Sequence, residues 1–259
     1  MKYIASWSGG KDSTVSIILA HEHGEPLDLI IFSEVMFDEA ISGELPGHID
    51  FIRTKAIPIF ENWGYEVIIL RSDVTYMSLF MGCHTRGKRK DAGLRRGFPM
   101  IGRCGLNKPC KVEPIKKYLK QMPEEIVQYI GIAIDEPTRM NRMKGAVNKM
   151  SLLEKYSYTE QMALDLCKKY DLLSPIYDFA PRGGCWFCPN ASIKILRYLR
   201  RYHKDLWNRL IQLEKQPNLI GYKWNTLTDL SLKELDERFY WEDQQMNIFD
   251  FMDERSYEE

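Results

Sequence analysis

Four short apolar runs, "YIASW" (3–7), "LDLIIF" (27–32), "YEVIIL" (65–70) and "VQYIGIA" (127–133), alternate with stretches of helical character over Ser13 to Glu22, His48 to Trp63 and Val112 to Gln121. Each run is rich in β-branched or aromatic residues, as strands are. Strands that alternate with helices predict an α/β protein: a Rossmann-like parallel sheet with helices on both faces. In such a sheet ligands bind at the carboxyl ends of the strands.

Beyond about residue 150 the pattern changes to "YTEQMALDLCKKY", a Gly/Pro/Cys-rich segment "SPIYDFAPRGGCWFCPNAS", and "IKILRYLRRYHKDLWNRLIQLEK". In the last of these Ile195, Leu199, Tyr202, Leu206, Leu210 and Leu213 recur at helical spacing and predict one apolar stripe. The expected organisation is an α/β domain over 1–150 followed by a mainly helical, cysteine-containing region over 151–259.

No apolar run approaches the ~18–20 residues that span a bilayer, and the chain enters a strand at once, so a cytoplasmic protein without membrane partners is expected. Six cysteines in a reducing compartment read as metal ligands, reactive thiols or core residues rather than as a disulfide framework. The 36 basic and 36 acidic side chains balance overall but not locally. Residues 85–111 carry nine Lys/Arg (Arg86, Lys88, Arg89, Lys90, Arg95, Arg96, Arg103, Lys108 and Lys111) against Asp91 alone, whereas from Ser231 onward ten acids face three bases. The acidic end reads as a solvated face. The basic stretch, interspersed with glycines and cysteines between candidate elements, reads as an active-site loop or a nucleic-acid contact.

Residues 8–13, "SGGKDS", follow the first strand and open the first helix. A strand-to-helix turn directs unpaired N–H groups and the positive end of the helix dipole at one point, which suits an anion. Gly9 and Gly10 permit positive φ and close approach of a phosphate, Lys11 adds charge, and Ser8 and Ser13 can donate hydroxyl hydrogen bonds. The same residues also fit a plain Gly-Gly turn in which Ser13 or Asp12 caps the helix. The spacing is neither that of a Walker A loop nor the Gly-x-Gly-x-x-Gly of dinucleotide folds.

At this position "SGGKDS" resembles the pyrophosphate-binding PP-loop of the adenine nucleotide alpha-hydrolase superfamily. "RCGLNKPCKVEPIKKYL" (103–119), "GIAIDEPTRM" (131–140) and "YTEQMALDLCKKYDLLSPIYDFAPRGGCWFCPNAS" (158–192) resemble, in that order, the phosphoadenosine phosphosulfate (PAPS) reductase family, above all its bacterial and phage-type members with a "GCWFCP" element. The resemblance implies that Ser8, Gly9, Gly10, Lys11, Asp12 and Ser13 hold phosphate oxygens, with Lys11 and Asp12 at the reacting centre. It implies adenosine contacts at Ser33 and Glu34, and nucleotide contacts at Lys111, Asp135, Glu136 and Arg139. Ala133 stands where relatives often carry a further arginine. The implied ligands are ATP, or PAPS or its unphosphorylated analogue, with Mg²⁺.

Cys185 and Cys188 form a C-x-x-C, and Cys104 and Cys110 a looser pair. Together they supply four thiolates, the usual complement of a structural zinc or a 4Fe–4S cluster, while the C-x-x-C alone also fits a redox dithiol. The resemblance to adenylyl-sulfate reductases and DNA phosphorothioation proteins favours iron. Cys83, beside His84 and a basic run, is in surroundings that favour a reactive thiolate, or else is an incidental exposed thiol. Cys167 reads as core, and His48, His84 and His203 show no metal-ligand spacing.

Three functions follow. The first is ATP-dependent adenylylation and sulfur transfer with release of pyrophosphate. The second is reduction of PAPS or its analogue by Cys83 or an external thiol, since no cysteine follows Cys188. The third is a nucleotide sensor, or a nucleic-acid accessory protein using residues 85–111.

Overall fold

The computed structural model describes residues 1–83, 93–101, 103–143, 145–146, 148–180, 183–224 and 231–255, with side chains except at 100, 101, 103 and 245–255. His84, Arg86, Lys88, Arg89, Lys90, Asp91 and the Arg103 side chain, named above for the basic stretch, lie outside the described residues.

Five parallel strands form the central sheet: β1 Lys2–Trp7, β2 Leu29–Glu34, β3 Glu66–Arg71, β4 Ile126–Ile130 and β5 Lys149–Met150, in the order β3-β2-β1-β4-β5. The α/β architecture expected from the alternating runs is present, and β1 occupies the centre. Strand period places alternate residues on opposite faces. Ala5, Trp7, Ile30 and Phe32 pack on one face with residues of helix α1, Lys11–His23, and with Ile52, Phe60 and Leu166. Ile4, Leu29 and Ile31 pack on the other with Ile115, Tyr118 and Leu119 of the helix Glu113–Leu119.

Helix α1 is buried all round at Val15, Ile17, Ile18, Leu19 and Ala20, because the sheet covers one side and the helices Leu152–Lys155 and Glu160–Lys169 cover the other. Burying each such isoleucine or leucine contributes about 1.5–3 kcal/mol. The Trp7 indole N–H donates to Thr14 Oγ1 at 2.9 Å, tying the last residue of β1 to the first turns of α1. The intervening glycine turn is thereby clamped at both ends.

The chain forms two compact units, Met1–Met77 with Leu106–Cys185, and Ser78–Gly105 with Trp186–Glu259. They do not divide at residue 150. Helix Glu160–Lys169 buries Ala163, Leu166 and Cys167 and belongs with the sheet unit. Residues 78–105 belong with the C-terminal segment because strand Arg95–Gly97 pairs in parallel with Leu219–Gly221.

The second unit is mainly helical. The expected single stripe is broken at His203, whose φ of −134° and ψ of 60° separate helix Ile193–Tyr202 from helix Lys204–Glu214. Ile195, Leu199, Leu206, Leu210 and Leu213 are buried, whereas Tyr202, the last residue of its helix before the break, is exposed. The acidic end is not simply solvated. On helix Leu232–Arg255, Asp236 and Asp243 receive Arg200 at 2.7 and 2.8 Å, and Glu242 pairs with Arg197 and Arg238. Among the described residues no helix is long and apolar enough to cross a membrane.

Candidate functional site

The turn after β1 pivots on a glycine that admits no substitute. Gly9 has φ +73°, and a Cβ there would lie 2.6 Å from His48 Cε1 and 2.7 Å from Ile52 Cδ1. Both the backbone conformation and the space demand glycine. Gly10, at φ −77° and ψ 156°, is the N-cap of α1 and offers no capping side chain. Ser13 ties the turn together: its Oγ accepts the Ser8 N–H at 3.2 Å, donates to the Gly10 carbonyl at 3.0 Å and lies 3.1 Å from Ser8 Oγ. The Lys11 N–H donates to Tyr177 Oη at 2.9 Å. Gly131, just past β4, is a second close approach, since a Cβ there would fall 2.4 Å from the Ser13 nitrogen.

His48, on the helix Pro46–Phe51, holds this turn. Its Nε2 lies 3.2 Å from the Ser8 carbonyl and its Nδ1 2.8 Å from Ser174 Oγ. A carbonyl only accepts, so Nε2 carries the proton and Nδ1 accepts from the serine hydroxyl, a neutral imidazole with both nitrogens engaged. Burial pushes its pKa below the ordinary 6.5, which keeps the ring in that form.

Above the turn is a cleft of about 220 Å³ into which Ser8, Gly10, Asp12 and Ser13 face. Lys111, from the π-helical turn Asn107–Val112, and Arg139, from the helix Pro137–Met143, line the same cleft, with Glu44, His48 and Tyr177. A helix N-terminus, two hydroxyls and two cations at one point favour an oxyanion.

Several expected residues do not reach the cleft. The Lys11 ammonium lies 2.8 Å from Asp12 Oδ1 and 2.9 Å from Glu160 Oε2, between two carboxylates, and does not line it. Burial alone would lower the Lys11 pKa, but its bonds to Asp12 and Glu160 outweigh burial and raise it. Burial raises the Asp12 pKa, against the pull of Lys11. Ser33 donates to the Cys110 carbonyl at 2.9 Å, and the fully buried Glu34 is held by Arg53 and Arg71 at 2.7 and 2.9 Å. Burial opposes ionisation of Glu34, but Ser42 and the two arginines prevail and lower its pKa. Asp135 accepts the Glu160 N–H at 3.0 Å, and Glu136 pairs with Arg139 at 2.6 Å. These two carboxylates brace the cleft wall and do not line it.

Sequence reasoning passed over Glu44, His48, Gly131, Tyr177, Gly183 and Gly184, all of which line the cleft. The one available signal was the Gly-Gly pair before Cys185.

Of the four candidate metal ligands, Cys110 and Cys185 belong to the sheet unit and Cys104 and Cys188 to the other. Cys110 is buried, and its S–H donates to the Val74 carbonyl at 3.1 Å. The backbone of Cys185 bridges that of Glu44. Four thiolates are the right donor type for zinc or a 4Fe–4S cluster. Among the described residues, however, no group of three or more His, Cys, Asp or Glu side chains is arranged to hold a metal ion. Cys83 is exposed in the second unit, its Sγ 3.8 Å from the Met81 carbonyl. Cys167 is buried against the Lys11 carbonyl, and burial pushes its thiol up to about 12, which makes it inert at neutral pH.

No protein-family model matches the chain. It is 21% identical over 218 residues to an uncharacterized protein, MJ0973, of Methanocaldococcus jannaschii, an alignment that takes in 82% of this chain and 47% of that protein. The chain therefore spans about half the length of the curated relative it matches, and the likeness assigns neither a family nor an activity.

Proposed function

We propose that this chain is a PP-loop enzyme, similar to the PAPS reductase family, that binds an adenine nucleotide, adenylylates a substrate with release of pyrophosphate, and directs sulfur to the activated group. The observation that carries the reading is the convergence of the glycine turn, Ser8, Ser13, Lys111 and Arg139 on one cleft at the carboxyl end of the central strand. In that role the N-terminal N–H groups of α1 and the two serine hydroxyls hold phosphate oxygens. Lys111 and Arg139 take up the charge that develops on the leaving pyrophosphate as a substrate oxygen attacks the α-phosphorus. The α–β phosphoanhydride bond breaks, and a sulfur nucleophile then displaces AMP.

Cys104, Cys110, Cys185 and Cys188 are the residues that would hold a 4Fe–4S cluster, or a zinc ion. A cluster there would supply redox-active iron and sulfide. Their assignment rests on ligand type, spacing and resemblance.

The test is to incubate anaerobically purified protein with ATP and candidate sulfur acceptors, and separately with PAPS or its unphosphorylated analogue and a thiol. Pyrophosphate from ATP is the expected result. Sulfite from PAPS would transfer the reading to a reductase, for which the exposed Cys83 is the candidate thiol. Nucleotide binding with neither product would leave a sensor, and absence of binding would overturn the reading.

A further inference from the structure

We infer that the cleft takes its nucleotide as a divalent-metal complex, with the Glu44 carboxylate as the protein's ligand to the cation. The inference rests on the phosphate-binding reading above and deepens it. Glu44 lines the cleft, is only 3% exposed, and its buried Oε1 has no hydrogen-bond partner. Lys111 Nζ stands 3.7 Å from that oxygen, an ion-pair distance beyond hydrogen-bond reach.

A buried carboxylate oxygen with no donor carries a desolvation cost. Bringing polyphosphate into the same cleft adds like-charge repulsion. Lys111 and Arg139 bring positive charge to the cleft, but Oε1 still accepts no hydrogen bond, and the remaining neighbours offer none. Both nitrogens of His48 are committed, to Ser8 and Ser174, and the Asp12 carboxylate is held by Lys11. A divalent cation between Glu44 and the phosphates removes both penalties at once. Mg²⁺ is commonly held by one or two carboxylates together with phosphate oxygens and waters, so the site needs no preformed cage, and among the described residues there is none. A sugar hydroxyl donating to Oε1 would satisfy the oxygen equally well but would make binding indifferent to metal.

Isothermal titration of the full chain with ATP, in Mg²⁺ and in EDTA, separates these cases. The wild type is expected to bind ATP about tenfold or more tightly with Mg²⁺. Glu44→Gln is expected to lose that gain and to bind metal-free ATP more tightly than the wild type does, because a negative charge has left the cleft. Equal wild-type affinity in Mg²⁺ and EDTA overturns the inference while leaving the phosphate cleft standing, and it needs no variant to fold. A Glu44→Gln protein that keeps the full Mg²⁺ gain also overturns it. Absence of ATP binding under both conditions overturns the phosphate reading and this inference with it.

Discussion

The "SGGKDS" turn is six consecutive residues, the four cysteines are spread over residues 104–188, and the fold treats the two signatures differently. The turn is completed inside one unit, where His48, Gly131 and Tyr177 arrive from three other elements to fix six consecutive residues. The cysteines are shared between two units, two in each. A contiguous motif brings most of its geometry with it, because φ, ψ and the helix start are set by neighbours in sequence. Cysteines spread along the chain bring only their chemistry, because nothing local in sequence fixes the geometry among them.

The harshest way to break the turn is Gly9→Val. A β-branched residue at φ +73°, with its Cβ 2.6 Å from the His48 ring, combines backbone strain with a clash. We expect a loss of about 3 kcal/mol or more, read as a fall in Tm of about 10 °C, and loss of ATP binding in titration. Gly184→Ala is the control, since nothing lies within 4 Å of a Cβ there and stability should hold. A Gly9→Val protein that binds ATP normally would mean that the phosphate is held elsewhere.

The cysteines are tested by metal content. Protein purified without oxygen is expected to carry about one 4Fe–4S cluster or one zinc per chain, and Cys185→Ser and Cys188→Ser, one from each unit, should each abolish it. Cys167→Ser should leave it intact. Loss of metal in neither variant, or a wild type without metal, would reduce the C-x-x-C to a dithiol and remove the contrast between the two signatures.

The sheet was legible because its signal is local and repeated: four β-branched runs alternating with helices have few alternatives. The cleft was half legible. Ser8, Gly10, Asp12, Ser13, Lys111 and Arg139, singled out from the sequence, line it. Lys11 does not, because its long side chain follows the strongest carboxylates available, and Glu160 is supplied by a helix 149 residues away in sequence. Ser33 and Glu34 likewise answer to distant partners, Cys110, Arg53 and Arg71. His48 was dismissed for lacking metal-ligand spacing, yet it acts through hydrogen bonds whose partners no spacing reveals. Tyr202 keeps the phase of Ile195 and Leu199 but is the last residue before the break at His203 and is exposed, and periodicity does not reveal where a helix stops.

His48 offers a measure of how firmly the turn is held. Its folded pKa lies below the ordinary 6.5 because burial disfavours the charged ring. Stability from this group is therefore complete above the unfolded value and declines as pH falls below about 6.5, by at most about 1.4 kcal/mol per pH unit. Glu22, lowered chiefly by its bond to Tyr170, and Glu25, lowered chiefly by Lys155, lose their contributions only at lower pH, below about 4.5. Asp12, whose pKa burial raises, acts in the opposite sense in that acid range. Urea midpoints between pH 7.5 and 5 should thus fall for the wild type and stay flatter for His48→Gln. Parallel profiles would place the imidazole outside the turn's support.

Glu160→Gln should produce the smallest effect and decide what Lys11 is for. Glu160 is half exposed, so its ion pair with Lys11 is screened and worth under about 1 kcal/mol. The Asp12 bonds to Lys11 remain, and the Glu160 N–H still reaches Asp135, so the helix start is undisturbed. Two consequences for nucleotide affinity share a sign: one negative charge near the cleft is gone, and the ammonium is released from one of its two anchors. We expect Tm to change little and ATP to bind about two- to threefold more tightly. If affinity falls instead, the Lys11–Glu160 pair is part of the scaffold that shapes the turn. Lys11 would then belong, with His48 and Gly131, among the residues that hold the phosphate loop rather than the phosphate.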